Sequence, residues 1–166
     1  PAKVIISASG AGTGKPLTEP WAIAAGRHGV VYVPGSKSNN LFRIDRKGRI
    51  TQIMASSGTD DGQCPTEPTS DLLYPTGVVV GRAGVVYVNG RNSCNVFRID
   101  RRGNVQRIAD RTGDGTNELN QPFNVAVDRR GNVFTAGVES NNAFRIDRDG
   151  TITQIIDATG DGAGHT

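Results

Sequence analysis

Histidine is nearly absent: the chain holds two, His28 and His165. Cysteine is as scarce, with Cys64 and Cys94 alone. Neither histidine recurs or has an evident partner. No Gly-x-Ser-x-Gly, Cys-x-x-Cys or His-x-x-x-His pattern occurs, so the usual marks of a serine hydrolase, a redox dithiol and a helical zinc site are missing. No apolar run is long enough to cross a membrane as a helix, and no signal-peptide pattern is present in this window. Low-complexity segments and any sustained helical period are also lacking. Nor does charge of one sign accumulate. The net charge is +3, and acids accompany the arginines at every recurrence, which argues against a nucleic-acid partner.

What the chain does have is a strand read three times, Asn-x-Phe-Arg-Ile-Asp-Arg-x-Gly, at residues 40–48, 95–103 and 142–150. Phe42 to Phe97 is 55 residues and Phe97 to Phe144 is 47. Self-similarity at such a period points to stacked units such as propeller blades. Each unit has four parts. The first begins at a proline (Pro20, Pro75, Pro122), and the second is Val30-Val-Tyr-Val, Val85-Val-Tyr-Val or Asn132-Val-Phe-Thr. The third is the Phe-Arg-Ile-Asp run, and the fourth starts at Ile50, Val105 or Ile152. All four are short and rich in β-branched and aromatic residues, which suits strands. The second is apolar without a break, as in a sheet covered on both faces. Turns closed by Gly29, Gly84 and Gly131, and by Gly48, Gly103 and Gly150, join them as hairpins. The expected fold is all-β, with four-stranded antiparallel meanders forming three complete blades of a β-propeller plus one extra N-terminal outer strand at residues 5–10.

The run Pro-x-x-Val-Ala-Val-Asp-x-x-Gly-Asn-Val-Phe, then Ser-Asn-Asn-x-Phe-Arg-Ile-Asp, then Thr-Gly-Asp-Gly, best seen over residues 122–162, resembles NHL-type β-propeller repeats. The resemblance covers essentially the whole chain. It implies the fold strongly and function weakly, since such propellers act as binding scaffolds and, less often, as lyases or lactone hydrolases. The related hydrolases and lyases use central carboxylates, asparagines or histidines around a metal, and no matching ring is found here. Within one propeller domain, residues 1–14 are expected to be the outer strand and link of a preceding blade. Blades one, two and three are expected at 15–62, 63–115 and 116–166. Closed propellers usually have four to eight blades. The chain is therefore read either as part of a longer ring of roughly six blades or, second, as one of two copies that close a ring. Blades one and three are expected to present apolar faces that further blades or another copy cover.

Gly58 to Pro75 is 17 residues, whereas the equivalent Gly113 to Pro122 is 9. Cys64 lies in the resulting insertion, and Cys94 stands where the other blades have Asn39 and Asn141. In a meander the link into a blade and the loop between its second and third strands share a rim. A Cys64–Cys94 disulfide follows, worth about 3–4 kcal/mol by loop entropy, and with it an extracellular or periplasmic setting.

The remaining residues are read against plainer roles. Asp110-Arg-Thr-Gly-Asp-Gly and its copy at 157–162 begin like calcium loops, but Gln121 stands where the late glutamate belongs, and a turn capped by Asp is preferred. No other cofactor is expected. Arg43, Arg98 and Arg145 are read as ion-paired or solvated, and Asn40, Asn95 and Asn142 as satisfying loop backbone. Trp21, Thr76 and Phe123 follow the leading prolines near the channel mouth. They are candidate rim contacts for a peptide or sugar, although core packing is preferred. The leading functional expectation is a non-catalytic, exported module that binds a protein or glycan through rim loops. The alternatives are a lyase or lactone hydrolase whose metal site lies in other blades, and a self-assembling building block that closes a ring or grows a filament.

Overall fold

The computed structural model describes residues 4–10 and 16–160; His165 and the last residues of the 157–162 run fall outside them. Among the described residues twelve strands form three sheets, each in simple up-and-down order. Blade one comprises β1 (Ala24–Ala25), β2 (Val31–Gly35), β3 (Asn40–Ile44) and β4 (Ile50–Ala55). Blade two comprises β5 (Pro75–Val80), β6 (Val86–Gly90), β7 (Asn95–Ile99) and β8 (Val105–Ala109). Blade three comprises β9 (Pro122–Val127), β10 (Val133–Gly137), β11 (Asn142–Ile146) and β12 (Ile152–Ile156). All pairings are antiparallel, and the third and fourth strands slip register at one place in every blade, at Leu41/Phe42, Val96/Phe97 and Ala143/Phe144. The helical segments among the described residues are single 3-10 turns, Arg27–Gly29 and Arg82–Gly84.

The blades stack face to back. Tyr32 and Leu41 of blade one meet Val78, Val86, Val88 and Phe97 of blade two, with Leu72 between. Tyr87 and Val96 of blade two meet Val125, Val133, Phe144 and Ile146 of blade three, with Leu119 between. The repeated phenylalanines Phe42, Phe97 and Phe144 are almost fully buried. Each contributes about 2–3 kcal/mol through the area it removes from water. Covering on both faces is what the unbroken apolar second strands indicated.

A repeated clamp ties each link to its own blade. Ser38, Ser93 and Ser140 accept from the link amides of Thr18, Leu73 and Asn120 at 3.1, 3.0 and 3.0 Å. Asn40, Asn95 and Asn142 donate through Nδ2 to the carbonyls of Pro16, Asp71 and Glu118 at 2.8, 2.9 and 2.9 Å. Each serine also donates to the asparagine Oδ1 two residues on. The asparagines therefore do hold loop backbone, as expected. The serines' half of the clamp was not anticipated.

Two expectations need correction. Residues 4–10 form no strand: Gly10 N donates to Ser7 O at 2.9 Å in a turn, and Leu17 N donates to Ala8 O at 3.1 Å. A strand needs a ladder neighbour, and none of the described residues offers one there. The leading face of blade one is also not bare. Leu17 and Ile6 cover Val33, Phe42 and Ile44. What stays open is its inner edge, where β1 is only two residues long and Trp21 and Ile23 are 57% and 64% exposed. On blade three, Val138, Ile155 and Ile156 are each nearly half exposed.

Candidate functional site

The residue before each leading proline (Glu19, Tyr74, Gln121) has a left-handed backbone, with φ of 50°, 47° and 49°. Proline disfavours the helical region for its predecessor, and non-glycine residues rarely take positive φ, so three such residues at one repeat position are held by their surroundings. The preceding blade supplies the hold. Tyr74 N donates to Asn39 Oδ1 at 2.8 Å, and Gln121 N donates to Cys94 Sγ at 3.1 Å. The carbonyls of Glu19, Tyr74 and Gln121 accept from Ser36, Arg91 and Val138 of their own blades at 3.1, 3.1 and 3.2 Å.

This geometry lines the rim with polar side chains. The Tyr74 hydroxyl donates to Glu19 Oε2 at 3.1 Å, which joins blades one and two. Burial, and then the Glu19 carboxylate, push the Tyr74 phenol above its usual pKa. Arg91 Nη2 donates to Gln121 Oε1 at 2.7 Å, which joins blades two and three. Arg91 Nε is buried with no partner among the described residues.

Trp21 and Phe123, from blades one and three, meet edge to face with ring centroids 6.0 Å apart. The Arg91 guanidinium lies 5.9 Å from the Phe123 centroid. The preference for core packing is thus overturned for Trp21, and for Phe123 at 37% exposed. Thr76 behaves differently. It is buried and donates to the Phe123 carbonyl at 2.6 Å, so it latches blade two to blade three. Asn89 Nδ2 reinforces the latch at Thr76 Oγ1, 2.8 Å, and at the Pro122 carbonyl. Arg91 escaped the sequence reading; its one signal was that it replaces Ser36 and Val138 at the equivalent place.

The metal implied for related hydrolases can be tested against these side chains. Asn89 Oδ1 is buried without a donor, and a Cβ on Gly77 would lie 2.5 Å from it and 2.7 Å from Asn124 Oδ1. Two neutral amide oxygens therefore crowd the same glycine. Among the described residues, no group of three or more His, Cys, Asp or Glu is placed to hold a metal ion. The pair does not make a divalent centre by itself. At the 110–115 run, where a turn is preferred to a calcium loop, Asp110 Oδ1 accepts from Thr112 N and Oγ1 at 2.9 and 2.7 Å. Asp114 Oδ1 accepts from Thr116 N and Asn117 N at 3.0 and 2.8 Å. Backbone donors thus face the oxygens that calcium would need, and the loop is an Asp-capped turn.

Cys64 and Cys94 are disulfide-bonded, with Cα atoms 5.3 Å apart. The bridge pins the insertion over this rim. Beside it, Gln121 Nε2 donates to Gly62 O at 3.2 Å and Asn92 Nδ2 donates to Asp60 Oδ1 at 2.8 Å. Of the repeated arginines, Arg145 pairs with Asp147 at 2.8 Å. Arg43 has no ion-pair partner among the described residues. No described helix is long and apolar enough to cross a membrane.

No protein-family model matches the chain, and no curated protein matches it in sequence. Solved structures do match its fold. The chain is similar to a streptogramin B lyase, with TM-score 0.66 and 17% identity over 88% of this chain and 43% of that one. It is similar to a virginiamycin B lyase from Staphylococcus aureus, with TM-score 0.65 and 20% identity over 88% and 43%. It is also similar to a gluconolactonase from Xanthomonas campestris, with TM-score 0.62 and 11% identity over 85% and 49%. The chain thus spans less than half the length of these propellers, and at such identities the likeness speaks for the fold. The expectation of a non-catalytic module is corrected here, because the matched propellers are described as lyases and a gluconolactonase.

Proposed function

We propose that the chain forms three blades of a catalytic propeller of the lyase or lactone-hydrolase kind. The observation that carries this is the meeting of Trp21, Phe123 and Arg91, drawn from three different blades, at one channel mouth. The likeness to lyase and gluconolactonase propellers supports it. We further infer NHL-type blades in a ring of six, divided at 1–14, 15–62, 63–115 and 116–166, in an exported protein. The phenylalanine repeat and the disulfide support these readings.

On this reading Trp21 and Phe123 hold the apolar body of a substrate, and Arg91, braced by Gln121, faces its carbonyl or carboxylate oxygen. Thr76 and Asn89 set the spacing of blades two and three. Charged metal ligands, if the reaction uses them, come from further blades. The test is lactone hydrolysis by the ring-complete protein, with divalent metal content measured in parallel. Arg91→Gln is expected to raise KM or lower kcat about tenfold or more, the scale of a lost charged hydrogen bond. Lactones and streptogramin B left uncleaved by a folded, ring-complete protein would overturn the reading, as would an Arg91→Gln enzyme with unchanged kinetics.

A further inference from the structure

On the opposite rim, where hairpins join strands one to two and three to four, blades one and two part to leave a cleft of about 640 Å³. We propose that this cleft binds a small organic polyanion, a phosphate ester or polycarboxylate. Four arginines line it: Arg27, Arg43, Arg82 and Arg101, over a floor that includes Tyr32 and Val80. No carboxylate lines it. None of the four has an ion-pair partner among the described residues. The acids that follow Arg43 and precede Arg101 in the chain, Asp45 and Asp100, are engaged elsewhere. Asp45 is paired with Arg49 at 2.9 Å, and Asp100 accepts from Asn104 N and Nδ2 and from Arg102 N.

The cleft between blades two and three gives the contrast; it repeats the positions of Tyr32, Arg43 and Arg101 as Tyr87, Arg98 and Arg148, but no residue of the strand-one-to-two turns lines it. It measures about 460 Å³ and is lined by Asp147 and Asp149 as well as Arg98, Arg107 and Arg148. The difference originates in the sequence. Asp149 stands where the first two blades have Lys47 and Arg102, and Asp128 stands where they have Gly26 and Gly81. Asp128 builds its turn by accepting from Arg130 N, Gly131 N and Asn132 N at 2.8, 2.7 and 2.9 Å. Blades one and two lack this acceptor and instead bend through left-handed His28 (φ 59°) and Ala83 (φ 58°). Of these two acids only Asp149 lines the second cleft, and the first two blades carry a cation at its position.

The volume lies within the range of small-molecule sites, roughly 300–1,000 Å³. The charge sits in one pocket, whereas single-stranded nucleic acid follows a continuous basic groove with stacking aromatics. Guanidinium forks suit phosphate and carboxylate oxygens bidentately. Both walls belong to this chain, so completing the ring leaves the cleft intact.

The test is calorimetric titration of the chain with pyrophosphate and with citrate at near-physiological salt. Saturable one-to-one binding is expected. The exposed-turn variant Arg27→Gln/Arg82→Gln is expected to weaken it by about tenfold or more, the scale of a lost charged hydrogen bond. Arg129→Gln, at the matching turn of blade three, is expected to leave it unchanged. If the double variant fails to fold, Arg101→Gln alone provides the same comparison. Absence of saturable binding, or an equal loss in Arg129→Gln, would overturn the proposal. So would tighter binding of a single-stranded DNA oligonucleotide with the same arginine dependence.

Discussion

Asp114 shows how much one carboxylate can organise. Besides the two turn amides, its Oδ2 accepts from Gln154 N in β12 at 3.2 Å and from Asn117 Nδ2 at 3.2 Å. The Asn117 amide above all, aided by those of Thr116 and Gln154, holds its pKa at about 2 against partial burial. The folded value lies below the unfolded one. Its stabilisation is therefore present above about pH 4 and is lost as pH falls towards about 2. Asp114→Asn should lower the melting temperature at neutral pH and flatten the fall between these limits. Parallel melting curves for the variant and the parent would count against this. Cys94 has two roles, as a bridge partner and as the acceptor for Gln121 N. Cys64→Ser removes only the first and should cost about 3–4 kcal/mol in urea unfolding. Cys94→Asn should cost a similar amount while keeping an acceptor like Asn39. Two alkylatable thiols in the unreduced denatured chain would refute the bridge.

Among the elements, the Ser-x-Asn clamp depends on glycines at the ends of β2, β6 and β10. A Cβ on Gly35, Gly90 or Gly137 would collide with the Oγ of Ser38, Ser93 or Ser140 and crowd the asparagine Oδ1. Gly90→Ala should therefore destabilise by about 1–3 kcal/mol, the usual scale of overpacking, read as a lower urea midpoint. An unchanged midpoint would mean that the clamp yields. The strands were legible because the repeat states each one three times and glycines mark the turns. β1 was not. Its Pro-Trp-Ala-Ile-Ala matches the start of β5 and β9, yet only two residues pair, because pairing depends on the inner edge and not on composition. Trp21 and Phe123 were misjudged for a related reason. Apolar strand-start residues fill a core unless the sheet's inner edge faces a channel, and alternation does not reveal that edge. Arg91 lay hidden because a departure at one position of one blade looks like drift until Gln121 and Phe123 are seen beside it.

For the whole molecule, the deciding fact is that apolar surface stays in water at the inner edge of blade one, at Trp21 and Ile23, and on blade three, at Val138, Ile155 and Ile156. Exposed clusters of this kind favour association. Light scattering on the chain alone should give a mass that rises above 17.5 kDa with concentration. Val138→Asp should suppress that rise, and a constant monomer mass in both would contradict it. The bonds from Tyr74 N to Asn39 and from Gln121 N to Cys94 have a further consequence, because both run from a later blade to an earlier one. Growth of such a stack therefore has an arrow. Each blade carries the socket for its successor, and Asn141 repeats that socket at the far end. A gene duplication that appends one more copy inherits a ready-made joint, so lengthening such a protein needs no compensating change in the blades already present.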